Sequence, residues 1–263
     1  MKYNLHTHSF YCGHGSGKIE EYAEYAEKKG YELLGFSEHC PFPDNRFHST
    51  RMDYSQVKDY LSDIAKAASE HSISILRGFE CDYFPEYKSY FEDVRADVDY
   101  LITGTHFMIS GDRISNPFDG SMTKEDLFIY ADSTIKAMES GLFAFVCHPD
   151  VYLSHCPFDS DAASVAKDII TLSNELSLPL EVNANGIAKS IAAGNEEYGY
   201  PNHSFWTLAS SMNARCIMNA DAHSVENLDK YSDKLEAFVS EHSLNMVTPF
   251  IDTSDGTNRL SFR

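Results

Sequence analysis

Histidine recurs in this chain in patterns that could hold metal. His6 and His8 form an H-x-H pair. Residues i and i+2 of a strand face the same way, so both imidazoles would meet at one point. A glycine-rich stretch follows, Cys12-Gly-His14-Gly-Ser-Gly17, able to fold a third histidine back towards them. Ligand-type residues then close several further apolar runs: Ser37-Glu-His39, Gly78-Phe-Glu80, Gly104-Thr-His106, Val146-Cys-His148 and Asn219-Ala-Asp221-Ala-His223. Structural histidines scatter over helices and loops, as His71 and His242 do. These converge instead on strand ends. Nine nitrogen and oxygen ligands exceed the set one zinc ion takes, and with a bridging carboxylate they suit two or three divalent ions. Imidazole and carboxylate without a dedicated thiolate set point to Zn, Fe or Mn.

Positioning such a set requires strands that all end on one side. Short strand-like runs fall at 2–6, 33–37, 73–79, 99–105, 143–147, 179–183 and 215–220. Amphipathic patterns lie near 18–30, 54–72, 86–96, 123–140, 161–177, 202–213 and 225–241. Strict alternation predicts an α/β fold with parallel strands and right-handed crossovers, wound as a barrel or an open sheet. The long loops expected at 40–53, 107–122, 149–160 and 184–201 follow the second, fourth, fifth and sixth strands, where such folds place function. No linker composition or internal repeat divides residues 1–263, which reads as one domain.

The 263 residues carry 21 Lys+Arg against 40 Asp+Glu, a formal charge of −19, which argues against a partner gripped by its phosphate backbone. A small anion is still admissible, because bound cations invert the local potential. Neither a membrane span nor a signal-peptide core is visible, so the expectation is a cytoplasmic protein with no membrane partner. Six cysteines without a C-x-x-C pair read as free thiols. Cys12, Cys40, Cys81 and Cys147 neighbour candidate ligands; strand alternation would turn such neighbours outward to pack as small apolar groups, Cys12 being the least covered by this argument.

In ordered combination, HTHSFYCGHGS (6–16), SEHCPFP (37–43), GFECDY (78–83), GTHF (104–107), CHPD (147–150), EVNANGIAKS (181–190) and NADAHS (219–224) resemble the polymerase-and-histidinol-phosphatase (PHP) superfamily. The histidinol-phosphate phosphatases are the most similar branch. The resemblance runs from His6 to about His223, and it implies a distorted (β/α)7 barrel with a trinuclear centre. Carried over, His6, His8 and Asp221 would hold one metal and Glu80 would bridge to a second. His106 and His148 would complete the second, and His14, His39 and His223 would hold the third. The implied chemistry is hydrolysis of a small-molecule phosphate ester by a metal-bridging hydroxide, with Glu80 and Asp221 the catalytic carboxylates. Asp221 could also contact the bridging water or serve as a ligand only.

Histidinol phosphate is the leading substrate, which would place the enzyme in histidine biosynthesis. A phosphotyrosine-protein phosphatase, a nuclease-type phosphodiesterase and a non-catalytic metal-binding module are the alternatives. The chain departs from the family at Asn183-Ala-Asn-Gly-Ile-Ala-Lys189, where Ala188 stands in place of an arginine that relatives commonly carry. Phosphate binding would then lean on the metals with Lys189, or with Arg51 from the 40–53 loop; either could equally be a surface charge. Histidinol phosphate is accordingly expected to be a poorer substrate here than for a relative with that arginine.

Overall fold

The computed structural model describes residues 1–194, 199–253 and 259–263. Its elements run β1 (Tyr3–Asn4), α1 (Ile19–Lys28), β2 (Leu33–His39), α2 (Val57–Glu70), β3 (Ser74–Cys81), α3 (Lys88–Asp97) and β4 (Tyr100–Thr103). A hairpin β5 (Met108–Ser110) and β6 (Arg113–Ser115) precedes α4 (Lys124–Glu139) and α5 (Ser160–Leu176). Then follow β7 (Leu180–Asn183), α6 (Ala184–Ala193), α7 (His203–Ser211), β8 (Arg215–Asn219), α8 (Ser232–Glu241), β9 (Asn245–Met246) and the hairpin β10 (Pro249–Asp252) and β11 (Arg259–Phe262). Among the described residues no helix is long and apolar enough to cross a membrane.

Helix formation follows local chemistry. In α1, Ile19, Tyr22, Ala23 and Ala26 recur at three- and four-residue spacing and are the buried face. Thr123 caps α4 in a reciprocal box with Asp126, whose carboxylate also takes both Nη groups of Arg113 at 2.6 and 2.7 Å. That ion pair ties the β5–β6 hairpin to the helix.

Strands β1 to β4 pair in parallel in chain order, and β7 pairs in parallel with β8. The expected fifth strand at 143–147 is present as extended backbone, hydrogen-bonded to both neighbours and bridged in parallel at Thr103–Val146 and Val146–Leu180. A further bridge, Thr7 to Ala222, links the segments that follow β1 and β8. The sheet thus curls round on itself, and between β1 and β8 its backbone ladder is short. There the side-chain amides carry the pairing: Leu5 N–H donates to Asn219 Oδ1 (2.8 Å) and Ala220 N–H to Asn4 Oδ1 (2.6 Å). At the start of β8 the partner is β9, through Arg215 and Asn245.

Inside the curl, Leu5, Leu33, Leu76, Tyr100, Ile102, Phe145 and Ile217 form one buried cluster below the strand ends. Tyr100 fills its centre because β2 and β3 present glycines to it. A Cβ on Gly35 or Gly78 would lie 2.3 or 2.6 Å from the tyrosine. Two larger clusters pack the outer faces of the strands against the helices.

Two expectations are corrected. The segment 184–201 is not simply a loop: residues 184–193 are helix α6, capped by Asn183 accepting from Gly186 N–H. An Asn-x-x-Gly run reads as a turn, but here the asparagine is an N-cap. The helix expected over 225–241 is a short 3-10 turn at Val225–Leu228 followed by α8. Both hairpins went unforeseen, since their strands are too short to show a period.

Candidate metal centre

Apart from His14, in the glycine-rich loop, each ligand-type residue sits at or just beyond the end of a parallel strand. Pairing of the first strand stops at Asn4 and resumes at Thr7, so His6 and His8 follow a break in the ladder and both turn inward, fully buried. Glu80 is the penultimate residue of β3 and lies at the centre. Its Oε2 is 3.5 Å from His6 Nε2, 3.4 Å from His8 Nε2 and 2.9 Å from His39 Nδ1. Its Oε1 is 2.9 Å from His148 Nε2 and 3.3 Å from His106 Nε2. One carboxylate therefore divides the imidazoles into two groups.

Asp221 Oδ1 faces His6 Nε2 (3.5 Å), His8 Nε2 (3.4 Å) and His223 Nδ1 (3.4 Å), while its Oδ2 accepts from the amides of Asn183 and Asn185, each at 3.2 Å. His14 Nε2 lies 3.1 Å from His223 Nε2. The structure thus brings all nine predicted residues together, from fully buried His6 and His8 to an exposed His14 at the mouth.

Local backbone makes room for this. His148 and Asp221 both adopt left-handed conformations, at φ 31° and 49°. Such strain in non-glycine residues persists where surrounding structure imposes it and clusters at functional sites. At His148 it also explains a correction. Cys147 does not face outward: it joins the inner cluster with Phe145, and its thiol donates to Glu80 Oε1 at 3.1 Å. Strand alternation puts Cys147 inside, and the kink at the next residue swings His148 inside as well. Cys40 and Cys81 pack in the outer layer as expected. Gly104 leaves space for the centre, since a Cβ there would meet Glu80 Oε1 at 2.6 Å and the His148 ring at 2.7 Å.

Three buried carboxylates stand behind the ligand ring, and sequence reasoning missed them. Glu181 Oε1 takes His6 Nδ1 at 2.8 Å. Asp82 accepts from His106 through its backbone N–H (2.7 Å) and Nδ1 (3.2 Å). Glu38 holds the backbone and hydroxyl of Ser9, with its Oε2 3.6 Å from His8 Nδ1. The available signal was the motif context of all three, SEHCPFP, GFECDY and EVNANGIAKS.

The electrostatics of the cluster call for positive charge. Burial works against a charged His106, yet Asp82 and Glu80 outweigh it and raise its pKa to about 10. Burial likewise opposes ionisation of Glu80 and Asp221, but the surrounding imidazoles hold both well below the usual carboxylate range. At the mouth, burial and neighbouring imidazoles push His223 down to about 3 and keep it neutral, the form that coordinates metal. Glu80 Oε2, His39 Nδ1 and His8 Nδ1 are buried without a hydrogen bond. Ligand atoms of His6, His8 and Asp221, of His8, His39 and His223, and of His6, Glu80, Cys147 and His148 each lie within 4.8 Å of one another. Crowded nitrogen lone pairs, orphaned oxygens and excess carboxylate fit divalent cations.

Above the cluster opens a cavity of about 340 Å³, walled by Phe107, Phe118, Asn116, Arg51 and Lys189. Arg51 is buried among the rings of Phe42, Phe47 and Phe107, and donates to Asp82 Oδ2 (2.9 Å) and Cys40 O (2.8 Å). Lys189 projects from α6 with its Nζ 4.0 Å from the Phe118 ring centre and 3.2 Å from Tyr200 Oη. Desolvation of that ammonium lowers its pKa.

Residues 4–185 match the PHP domain family. Over 226 residues the chain is 26% identical to the "Probable histidinol-phosphatase" of Deinococcus radiodurans, a similarity covering 83% of this chain and 85% of that protein. It is 30% identical over 120 residues to the histidinol-phosphatase of Bacillus subtilis, covering 41% and 45% of the two chains. The crystal structure of histidinol phosphate phosphatase from Lactococcus lactis, complexed with Zn, L-histidinol and phosphate, superposes with a TM-score of 0.73 at 17% identity, covering 94% of this chain and 96% of that one. That likeness establishes the shared barrel architecture.

Proposed function

The chain belongs to the PHP domain family, and from that premise we propose that it is a metal-dependent phosphomonoesterase acting on a small-molecule phosphate ester, histidinol phosphate the leading substrate. The observation that carries this reading is the division of five imidazoles between the two oxygens of Glu80 beneath a cavity with cationic side chains in its wall. His6, His8 and Asp221 would hold one ion and His106 and His148 a second, with Glu80 serving both. His14, His39 and His223 would hold a third. Divalent ions in such a set, Zn, Fe or Mn, supply Lewis acidity and a nucleophile from water at neutral pH.

The protein's own groups do the rest. Asp221 keeps Oδ2 on the amides of Asn183 and Asn185, leaving Oδ1 to serve as a ligand or to take a proton from the attacking water. The Lys189 ammonium faces the cavity with an aromatic ring and a hydroxyl as neighbours, so a phosphate dianion would be its natural counter-ion. Arg51 adds charge to the wall, although Asp82 already occupies part of its fork. Phe107 and Phe118 line the cavity and would flank the leaving group.

Those two rings also favour a second reading, an aryl phosphate such as phosphotyrosine. Both readings are tested by steady-state kinetics of protein loaded with Zn²⁺ or Mn²⁺ on histidinol phosphate, small alkyl phosphates and a phosphotyrosine peptide. Highest kcat/KM on histidinol phosphate or another small ester is the expected result. Dominance of the peptide would favour the second reading, and no hydrolysis of any ester at full metal loading would overturn both.

A further inference from the structure

Glu181, in β7, has zero exposure and a completely filled set of acceptor sites. Its Oε1 accepts from His6 Nδ1 (2.8 Å) and Asn219 Nδ2 (2.9 Å). Its Oε2 accepts from the backbone N–H of His148 (3.0 Å) and from Asn183 Nδ2 (2.9 Å), and that same Asn183 amide reaches Asp221 Oδ2 at 3.2 Å. One carboxylate is therefore bonded directly to two candidate ligands and, through one amide, to a third. They come from different strands: His6 from the first, His148 after the 143–147 segment, Asp221 after β8.

A buried carboxylate held only by neutral donors and an imidazole is costly and is retained where its charge has a use. Accepting at Oε1 places the proton of His6 on Nδ1 and turns its Nε2 lone pair towards His8, Glu80 and Asp221. Accepting the His148 N–H fixes the residue whose left-handed φ swings its ring inward. A glutamine could not substitute. Its single oxygen would satisfy one pair of donors, while its own NH₂ would face the N–H groups of the other pair.

We propose that Glu181 is the positioning residue of the metal centre, setting the tautomer of His6 and the backbone of His148 together so that both ligands are ready for metal. This rests on the metal-dependent reading of the centre and on no particular substrate. The test is the affinity of purified Glu181→Gln for Zn²⁺ and Mn²⁺ by chelator competition, read beside the melting temperature of the chelated protein. Metal affinity should fall about 10–100-fold, beyond any lowering of the metal-free Tm that the donor clash brings, with turnover recovering at excess metal. Unchanged affinity with a lowered metal-free Tm would overturn the proposal, leaving Glu181 a brace between strands. Should the glutamine variant not fold, Glu181→Asp keeps the charge but withdraws it by one methylene. Affinity loss is again expected, and wild-type affinity in that variant would overturn the proposal. Affinity is read without turnover, so a wild-type protein that binds metal yet hydrolyses no phosphate ester would sink the proposed activity and leave this inference standing.

Discussion

Lys189 is one residue whose surroundings discriminate between surface and site. A solvated lysine on a helix gains nothing from its neighbours, whereas this ammonium lies over Phe118, touches Tyr200 Oη and borders the cavity above the histidines. Its depressed pKa follows from desolvation, which an anionic ligand would offset. Loss of one charge-assisted contact is worth roughly 1.5–3 kcal/mol. Lys189→Ala should therefore lower kcat/KM for small phosphate esters about 10–100-fold while leaving metal content unchanged. The preceding residue, Ala188, leaves α6 without the arginine common in relatives, and a lysine cannot reproduce a planar two-point grip. Ala188→Arg should raise kcat/KM on histidinol phosphate. Kinetics unaffected by either change would show that α6 does not contact the phosphate.

At the scale of elements, the seam between β1 and β8 is lightly paired, as are the junctions flanking 143–147. Elsewhere, as between β2 and β3, seven consecutive residue pairs share the ladder. Across the seam the backbone contributes the single bridge at Thr7 and Ala222, and Asn4 and Asn219 supply the rest. Replacing Asn4 by Ala would leave the Ala220 N–H unsatisfied, at a cost of about 1–3 kcal/mol, and would loosen the segment that presents Asp221. Denaturant unfolding should show that loss. A wild-type midpoint would mean that water or backbone takes over.

Little of this seam could be read beforehand, because an asparagine inside a strand looks the same whether it faces solvent or replaces a ladder bond. The strand ends were legible for the opposite reason: imidazole and carboxylate recurring after successive apolar runs have few structural explanations. Glu181 opens the motif EVNANGIAKS, yet a lone acid inside a strand does not show which ligand it holds, and the kink at His148 breaks the alternation that would orient Cys147. Helix α6 was hidden by turn-like residues that turned out to be its cap.

Across the whole molecule, the candidate ligands and the weak seam involve the same strands. His6 and His8 lie on one side of that seam and Asp221 and His223 on the other, with Asp221 facing His6 and His8 across it and Glu80 facing the same two histidines from β3. Metal ions held by this set would join segments that the backbone ladder joins only loosely, so binding should stabilise the fold unevenly. At a free metal concentration a thousandfold above Kd, linkage supplies about 4 kcal/mol, which for a chain of this size is roughly 10 °C in Tm. Chelation should reverse that gain, and acidification should do the same as protons compete with metal for the imidazoles. Hydrogen exchange locates the effect. On chelation, the amides of His8, Ala220 and Ala222 should lose protection well before those of β2 and β3, whose paired backbone does not depend on the cluster. Uniform loss of protection across the sheet, or a Tm indifferent to chelator, would show that the curl closes without metal and that the nine residues do not serve as its clasp.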